Sequence, residues 1–227
     1  MTVTEQSRTV VWDLPLRIWH WAFALGIVGL LYTGLSGDIA LLETHQQLGY
    51  CMLGLLLFRV GWGFWGGRYA RYSFYGISPR GMWVHFRGGI PAAGKPQACL
   101  GAVPRPHTEP GAAIAVVFVA LVGLQVVTGL FATDDIFTEG PLTGYVAPDT
   151  AGAMTWLHHR IFWLVVATIA THLVAHLVYA SRRDSTPLAM FTGRKSVGLL
   201  PTRDRLLVGA MTAALAGVVV WGFLALV

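Results

Sequence analysis

Charge is scarce in this chain of 227 residues. Only 12% are Asp, Glu, Lys or Arg, against 55% hydrophobic, a balance that excludes a chain solvated by water alone and places it with integral membrane proteins. Cysteine is nearly absent too. Cys51 and Cys99 form no C-x-x-C-H, which excludes covalent c-type haem attachment, and no paired zinc spacing. They are expected in different compartments, which argues against a disulfide. No Walker loop, G-x-G-x-x-G or G-x-S-x-G occurs, so nucleotide binding and acyl transfer find no support. The formal charge is +5, yet no soluble domain carries a basic face, and no nucleic-acid partner is expected.

Long apolar runs are abundant. A membrane-crossing helix needs about 20 residues, and five stretches qualify: Leu14 to Gly34, Leu48 to Trp65, Ala112 to Phe131, Met154 to Ala180 and Leu206 to Val227. The first follows a polar N-terminus without a small-residue cleavage pattern, so it reads as a retained helix. The cations are one-sided. Arg8 and Arg17 lie at the start of span 1, Arg68, Arg71, Arg80, Arg87, Lys95 and Arg105 between spans 2 and 3, and Arg182, Arg183, Arg194, Lys195, Arg203 and Arg205 between spans 4 and 5. The other connections carry Asp38, Glu43, Asp134, Asp135, Glu139 and Asp149. Lys and Arg favour the cytoplasmic side, which predicts a cytoplasmic N-terminus and a periplasmic C-terminus. The Gly- and Pro-rich stretch from Arg87 to Gly111 reads as a cytoplasmic loop.

Histidine carries the chemistry. An ionisable side chain inside a bilayer is costly and usually faces a partner in the bundle interior. His45 and His158 open spans 2 and 4 on the outer side, whereas His20 in span 1 and His172 deep in span 4 lie at inner depth. Each layer thus receives two imidazoles from two different helices. Along span 4, the 14 residues from His158 to His172 return to within roughly 40° of one azimuth while descending about 21 Å. One helix can therefore supply a ligand to each of two stacked sites. Two haem b groups held by axial imidazoles suit that geometry best. Taken singly, each histidine serves equally well as a hydrogen-bonding partner for a neighbouring helix. His159 points about 100° away from His158, and His176 lies five turns from His158 and competes with His172 for the inner layer. His85 and His107 fall in the cytoplasmic connection and read as solvated or structural.

Several segments resemble the bacterial di-haem cytochrome b561 family, which includes the cytochrome b subunits of nickel-iron hydrogenases. They are VWDLPLRIWHW at 11–21, HQQLGYCMLGLLLFRVGWGF at 45–64, LQVVTGLFATDDIFTEGPL at 124–142, WLHHRIFWLVVATIATH at 156–172 and FTGRK at 191–195. The resemblance runs nearly end to end. It implies four haem ligands, His20 with His172 for one haem and His45 with His158 for the other. It also implies an all-α membrane bundle: one domain over 1–227, with a four-helix haem-binding core at 11–195 and an extra transmembrane helix at 205–227.

Charged propionates need cations. Arg59, 14 residues beyond His45, and Arg17 are placed near the inner layer to hold them, with Arg160 as the outer-layer cation; snorkelling to the interface is the competing role for Arg17 and Arg59. Polar residues near span 3 (His107, Glu109, Gln125, Thr128) are placed either to contact quinone or to satisfy neighbouring backbone. The expected function is electron transfer across the bacterial inner membrane, between the quinone pool and a periplasmic c-type cytochrome or a dehydrogenase or hydrogenase module. The acidic outer loops would suit a basic partner. The competing class is a non-redox transporter or scaffold with metal-binding histidines, which calls for ligands clustered at one depth with carboxylates among them.

Overall fold

Helix starts are set by short polar side chains that take over the first free N–H groups. In the computed structural model, which describes residues 9–88, 107–182, 186–195 and 199–227, α1 (Leu14–Leu35) begins at Asp13, whose Oδ1 accepts the Leu16 N–H at 3.0 Å. Ser78 caps α3 (Pro79–Gly88) through the Gly81 N–H at 3.0 Å, and Thr108 caps α4 (Glu109–Leu130) through the Gly111 N–H at 3.0 Å. The chain also forms α2 (Leu42–Trp65), α5 (Pro148–Ser181), α6 (Thr186–Thr192) and α7 (Leu206–Leu224). Five helices, α1, α2, α4, α5 and α7, are long and apolar enough to cross a membrane. The fold is a helical membrane bundle. Its outward residues agree: Leu177 is 69% exposed, Leu207 76% and Trp221 73%, positions that forgo about 1.5–3 kcal/mol of burial each in water but not in lipid.

Two spans start earlier than hydropathy suggests, α2 at Leu42 rather than Leu48 and α5 at Pro148 rather than Met154. Their first turns, LETHQQ and PDTAGA, are polar or small, so an apolar window passes over them. His158 therefore stands well inside its helix and does not open it. Neither α3 nor α6 was foreseen, because neither is long or uniformly apolar. A short antiparallel pair, β1 (Thr9–Val10) with β2 (Arg194–Lys195), also departs from a purely helical reading. Most of the expected 87–111 loop, with Lys95, Cys99 and Arg105, lies outside the described residues, as do Arg8 and Arg183.

The chain divides into two compact units. The first draws on Met1–Ile18, Gly61–Val116 and Ile169–Gly209. At its centre Asp13 is 1% exposed, and its Oδ1 also accepts the indole N–H of the fully buried Trp62 at 2.9 Å. Asp204 accepts the Leu14 N–H at 2.6 Å, and the Thr202 N–H reaches the Val10 carbonyl at 2.9 Å. The FTGRK stretch closes this unit through Gly193, whose carbonyl accepts the N–H groups of Val11 at 2.7 Å and Trp12 at 3.1 Å. Gly193 has φ +74°, and a Cβ there would stand 2.9 Å from the Trp12 carbonyl oxygen. A left-handed turn and a close backbone approach thus both require glycine. His107 packs between Trp12 at 4.6 Å and Tyr75 at 5.3 Å, a structural role.

The second unit draws on Trp19–Val60, Val117–Thr168 and Ala210–Val227. Its buried residues include Phe23, Ile27, Met52, Leu56, Val122, Val126, Ile161 and Val165. The Trp19 indole N–H donates to the Leu55 carbonyl at 2.8 Å. In the loop after α4, Asp134 Oδ1 accepts the N–H groups of Ile136 (3.1 Å), Phe137 (2.8 Å) and Thr138 (2.8 Å). Those donors hold its carboxyl below the usual carboxylate range. Asp134 is thus engaged by its own loop, while Asp135, Glu139 and Asp149 remain exposed.

Burial pushes the Asp13 carboxyl above its ordinary value, against the Leu16 and Trp62 donors and with Asp204 adding to the rise. A raised folded-state pKa means that its stabilising contribution is full below the unfolded pKa and lost as pH rises through the folded one. Asp13→Asn keeps the acceptor and removes the charge. It should flatten the decline in thermal stability between acid and neutral pH and raise the neutral-pH midpoint in detergent, whereas Asp13→Ala should cost about 1–2 kcal/mol. An Asn variant as unstable as the Ala variant would contradict this account. Gly193→Ala should cost about 1–3 kcal/mol and expose the segment around residue 193 to limited proteolysis; an unchanged cleavage pattern would count against the turn.

Candidate functional site

Two imidazoles meet in the second unit. His45 lies near the start of α2 and His158 lies within α5, with ring centroids 6.3 Å apart and ring planes at 80°. Each is seated against a Thr-Gly pair near the end of the preceding membrane helix, His45 on Thr33-Gly34 of α1 and His158 on Thr128-Gly129 of α4. A Cβ on Gly34 would stand 2.9 Å from His45 Cε1, and one on Gly129 would stand 3.0 Å from His158 Cε1. The missing side chains are what let the rings reach the neighbouring backbones.

The neighbouring threonines touch the same edge of each ring. Thr33 Oγ1 is 3.0 Å from His45 Nδ1, and Thr128 Oγ1 is 3.2 Å from His158 Nδ1. His158 Nδ1 also lies 2.9 Å from the Gln125 carbonyl oxygen. A carbonyl oxygen can only accept, so Nδ1 carries the hydrogen and Nε2 keeps its lone pair. His158 can therefore offer Nε2, and so can His45, because Thr33 gives its own hydrogen to the Gly29 carbonyl at 2.8 Å and accepts from Nδ1.

The spacing fits one metal atom between them. Two metal–imidazole bonds of about 2 Å, plus about 1 Å from each nitrogen to its ring centre, require a centroid separation of about 6 Å. That matches the observed pair. Among the described residues no group of three or more His, Cys, Asp or Glu side chains gathers as a metal-ion site. The pairwise arrangement suits a haem iron, whose other four ligands come from the macrocycle.

The remaining candidates have distinct surroundings. Arg59 in α2 is 3% exposed, with its guanidinium carbon 5.6 Å from the Trp19 ring centroid; a cation this buried in a membrane helix suits a carboxylate-bearing cofactor. Arg17, in the first unit, donates from Nη1 to the Phe191 carbonyl at 2.7 Å and lies beside Gly193. It is thus anchored within the protein. His20 belongs to the second unit, half-buried and edge-on to Trp21 at 5.1 Å. His172 belongs to the first unit, half-buried and edge-to-face with His176 at 4.4 Å. His159 is exposed, as is Arg160, which lies 5.3 Å over the Trp156 ring; this orientation favours His158 over its neighbour. Glu109 accepts from the Ser78 hydroxyl at 3.3 Å.

Sequence reasoning passes over Thr33 and Gly129, gives Thr128 a different role, and offers Gly34 only with Gly26, Gly29, Gly49 and Gly54 as glycines that let a macrocycle approach the backbone or serve helix packing. The available signal was the repeated TGL at 33–35 and 128–130, near the end of the helix that precedes each histidine-bearing span.

The family model described as prokaryotic cytochrome b561 matches residues 11–193. Curated relatives include the probable Ni/Fe-hydrogenase 1 B-type cytochrome subunit of Escherichia coli K12, 27% identical over 233 residues, covering 86% of this chain and 94% of the relative. The probable Ni/Fe-hydrogenase B-type cytochrome subunit of Rhodobacter capsulatus is 25% identical over 207 residues, covering 77% of this chain and 76% of the relative. That of Azotobacter vinelandii is 33% identical over 99 residues, covering 36% and 40%. No solved structure matches the chain.

Proposed function

We propose, from the premise that the chain belongs to the prokaryotic cytochrome b561 family, that it carries electrons across the bacterial inner membrane through two haem b groups held at two depths. The chain is a multi-pass membrane protein with a b-type cytochrome's electron-transfer role. Haem b, when bound, supplies a one-electron couple. In this reading His45 with His158 would hold one haem, and His20 with His172 the other. Arg59 and Arg17 face the propionates. The observation that carries the reading is the His45–His158 pair, with its 6.3 Å separation and both Nδ1 atoms engaged by the preceding helix.

The quinone pool is proposed as one terminus and a periplasmic redox protein as the other. The names of the relatives favour a hydrogenase module as that partner, and a free-standing quinol or cytochrome oxidoreductase is the second form of the same function. The one-sided distribution of Lys and Arg supports a cytoplasmic N-terminus and a periplasmic C-terminus.

Haem-to-protein stoichiometry tests the reading. The purified full chain should carry two non-covalent b haems, and His45→Ala and His158→Ala should each remove the same one. Gly34→Ala should reduce occupancy of that haem by severalfold, whereas Gly217→Ala, at an exposed position of α7 where a Cβ would meet nothing within 4 Å, should be silent. Loss of different haems in the two histidine variants would break the pairing.

A further inference from the structure

We infer that Thr33 and Thr128 are a duplicated positioning device that sets the tautomer and the basicity of the two histidines; this rests on the reading of His45 and His158 as ligands of one haem. Each threonine hydroxyl has a single hydrogen, and both are directed at their own helices. Thr33 Oγ1 donates to the Gly29 carbonyl at 2.8 Å, with the Leu30 carbonyl at 3.3 Å. Thr128 Oγ1 donates to the Leu124 carbonyl at 2.9 Å, with the Gln125 carbonyl at 3.0 Å. The hydroxyl oxygen can then only accept from the imidazole. His45 Nδ1–H is directed at the Thr33 oxygen, and His158 Nδ1–H is shared between the Thr128 oxygen and the Gln125 carbonyl.

The threonine–Nδ1 contact and the neighbouring glycine recur in both sites, on two helix pairs of unrelated connection length. A helix-packing role for threonine needs the back-bond to the carbonyl but not an imidazole on the same oxygen. Glycine is the second half of the device. It admits the ring, and the adjacent threonine then meets Nδ1. An oxygen that donates its own hydrogen is a better acceptor, and a partner that accepts the outer N–H of a ligating imidazole raises the basicity of the ligand. A more basic imidazole stabilises ferric over ferrous iron and lowers the potential of the haem it serves.

Replacing either threonine by valine removes that acceptor at nearly constant shape, and serine restores it. Loss of that acceptor predicts an upward shift equivalent to roughly three- to tenfold in the oxidation equilibrium, about 28–59 mV for one electron. The experiment is redox potentiometry with haem counting on the full chain in detergent, for Thr33→Val, Thr33→Ser, Thr128→Val and Thr128→Ser. Expected is an upward shift of the same single haem in both valine variants, near-wild-type potentials in both serine variants, and the second haem unmoved. If a valine variant loses the haem, its serine counterpart decides: haem kept at the wild-type potential supports the assignment, and loss in both overturns it. Unchanged potentials in haem-loaded valine variants overturn it as well. A wild-type chain without haem, or one whose haems survive His45→Ala and His158→Ala, defeats the ligand reading itself, and the threonine assignment falls with it.

Discussion

A neutral imidazole inside a membrane has one hydrogen to give and one lone pair to lend, and an unsatisfied polar group there costs several kcal/mol. The site around His45 and His158 depends on how both are assigned. Beside Gly129 the Gln125 carbonyl of α4 takes the hydrogen of His158, and beside Gly34 the Thr33 hydroxyl oxygen of α1 takes that of His45, and this frees Nε2 on each ring. Secondary structure here does chemical work: a helical carbonyl, already bonded within its own helix, spends its second lone pair on fixing a side-chain tautomer. The Thr-Gly pairs are where that exchange becomes sterically possible.

The first unit solves a different problem, that of starting and ending membrane helices without leaving N–H groups unmet. Asp13 caps α1 and satisfies the Trp62 indole with the same oxygen. Asp204 takes the next free N–H of α1, and the Gly193 turn accepts two more from Val11 and Trp12. The motifs VWD and FTGRK are therefore two halves of one hydrogen-bonded closure, separated by most of the sequence. Arg17 joins it through Phe191, which gives that arginine a structural anchor alongside the propionate role proposed for it.

Much of this was legible in the residues. Five apolar stretches of spanning length define the bundle, because the bilayer imposes a length that few soluble helices share. His45 and His158 stand out because imidazoles are conspicuous among leucines. What stayed hidden has physical reasons. The first turns of α2 and α5 are polar, so hydropathy starts both helices late. Helix α3, with Trp83, Val84 and Phe86 exposed and Ser78 as its cap, is too short for a spanning window. Thr33 and Thr128 look like ordinary packing residues until the fold brings an imidazole to each. His172 and His176 stand edge-to-face, both half-buried, and there the family resemblance is what selects His172.

A density map of the haem-loaded protein at a resolution that separates ring atoms tests the central claim most directly. The account predicts a macrocycle between α2 and α5 with its iron bonded to Nε2 of both His45 and His158, and with each Nδ1 on the Thr-Gly pair behind it. Rings of His45 and His158 in direct contact, with the haem iron bound elsewhere or through Nδ1, would contradict it.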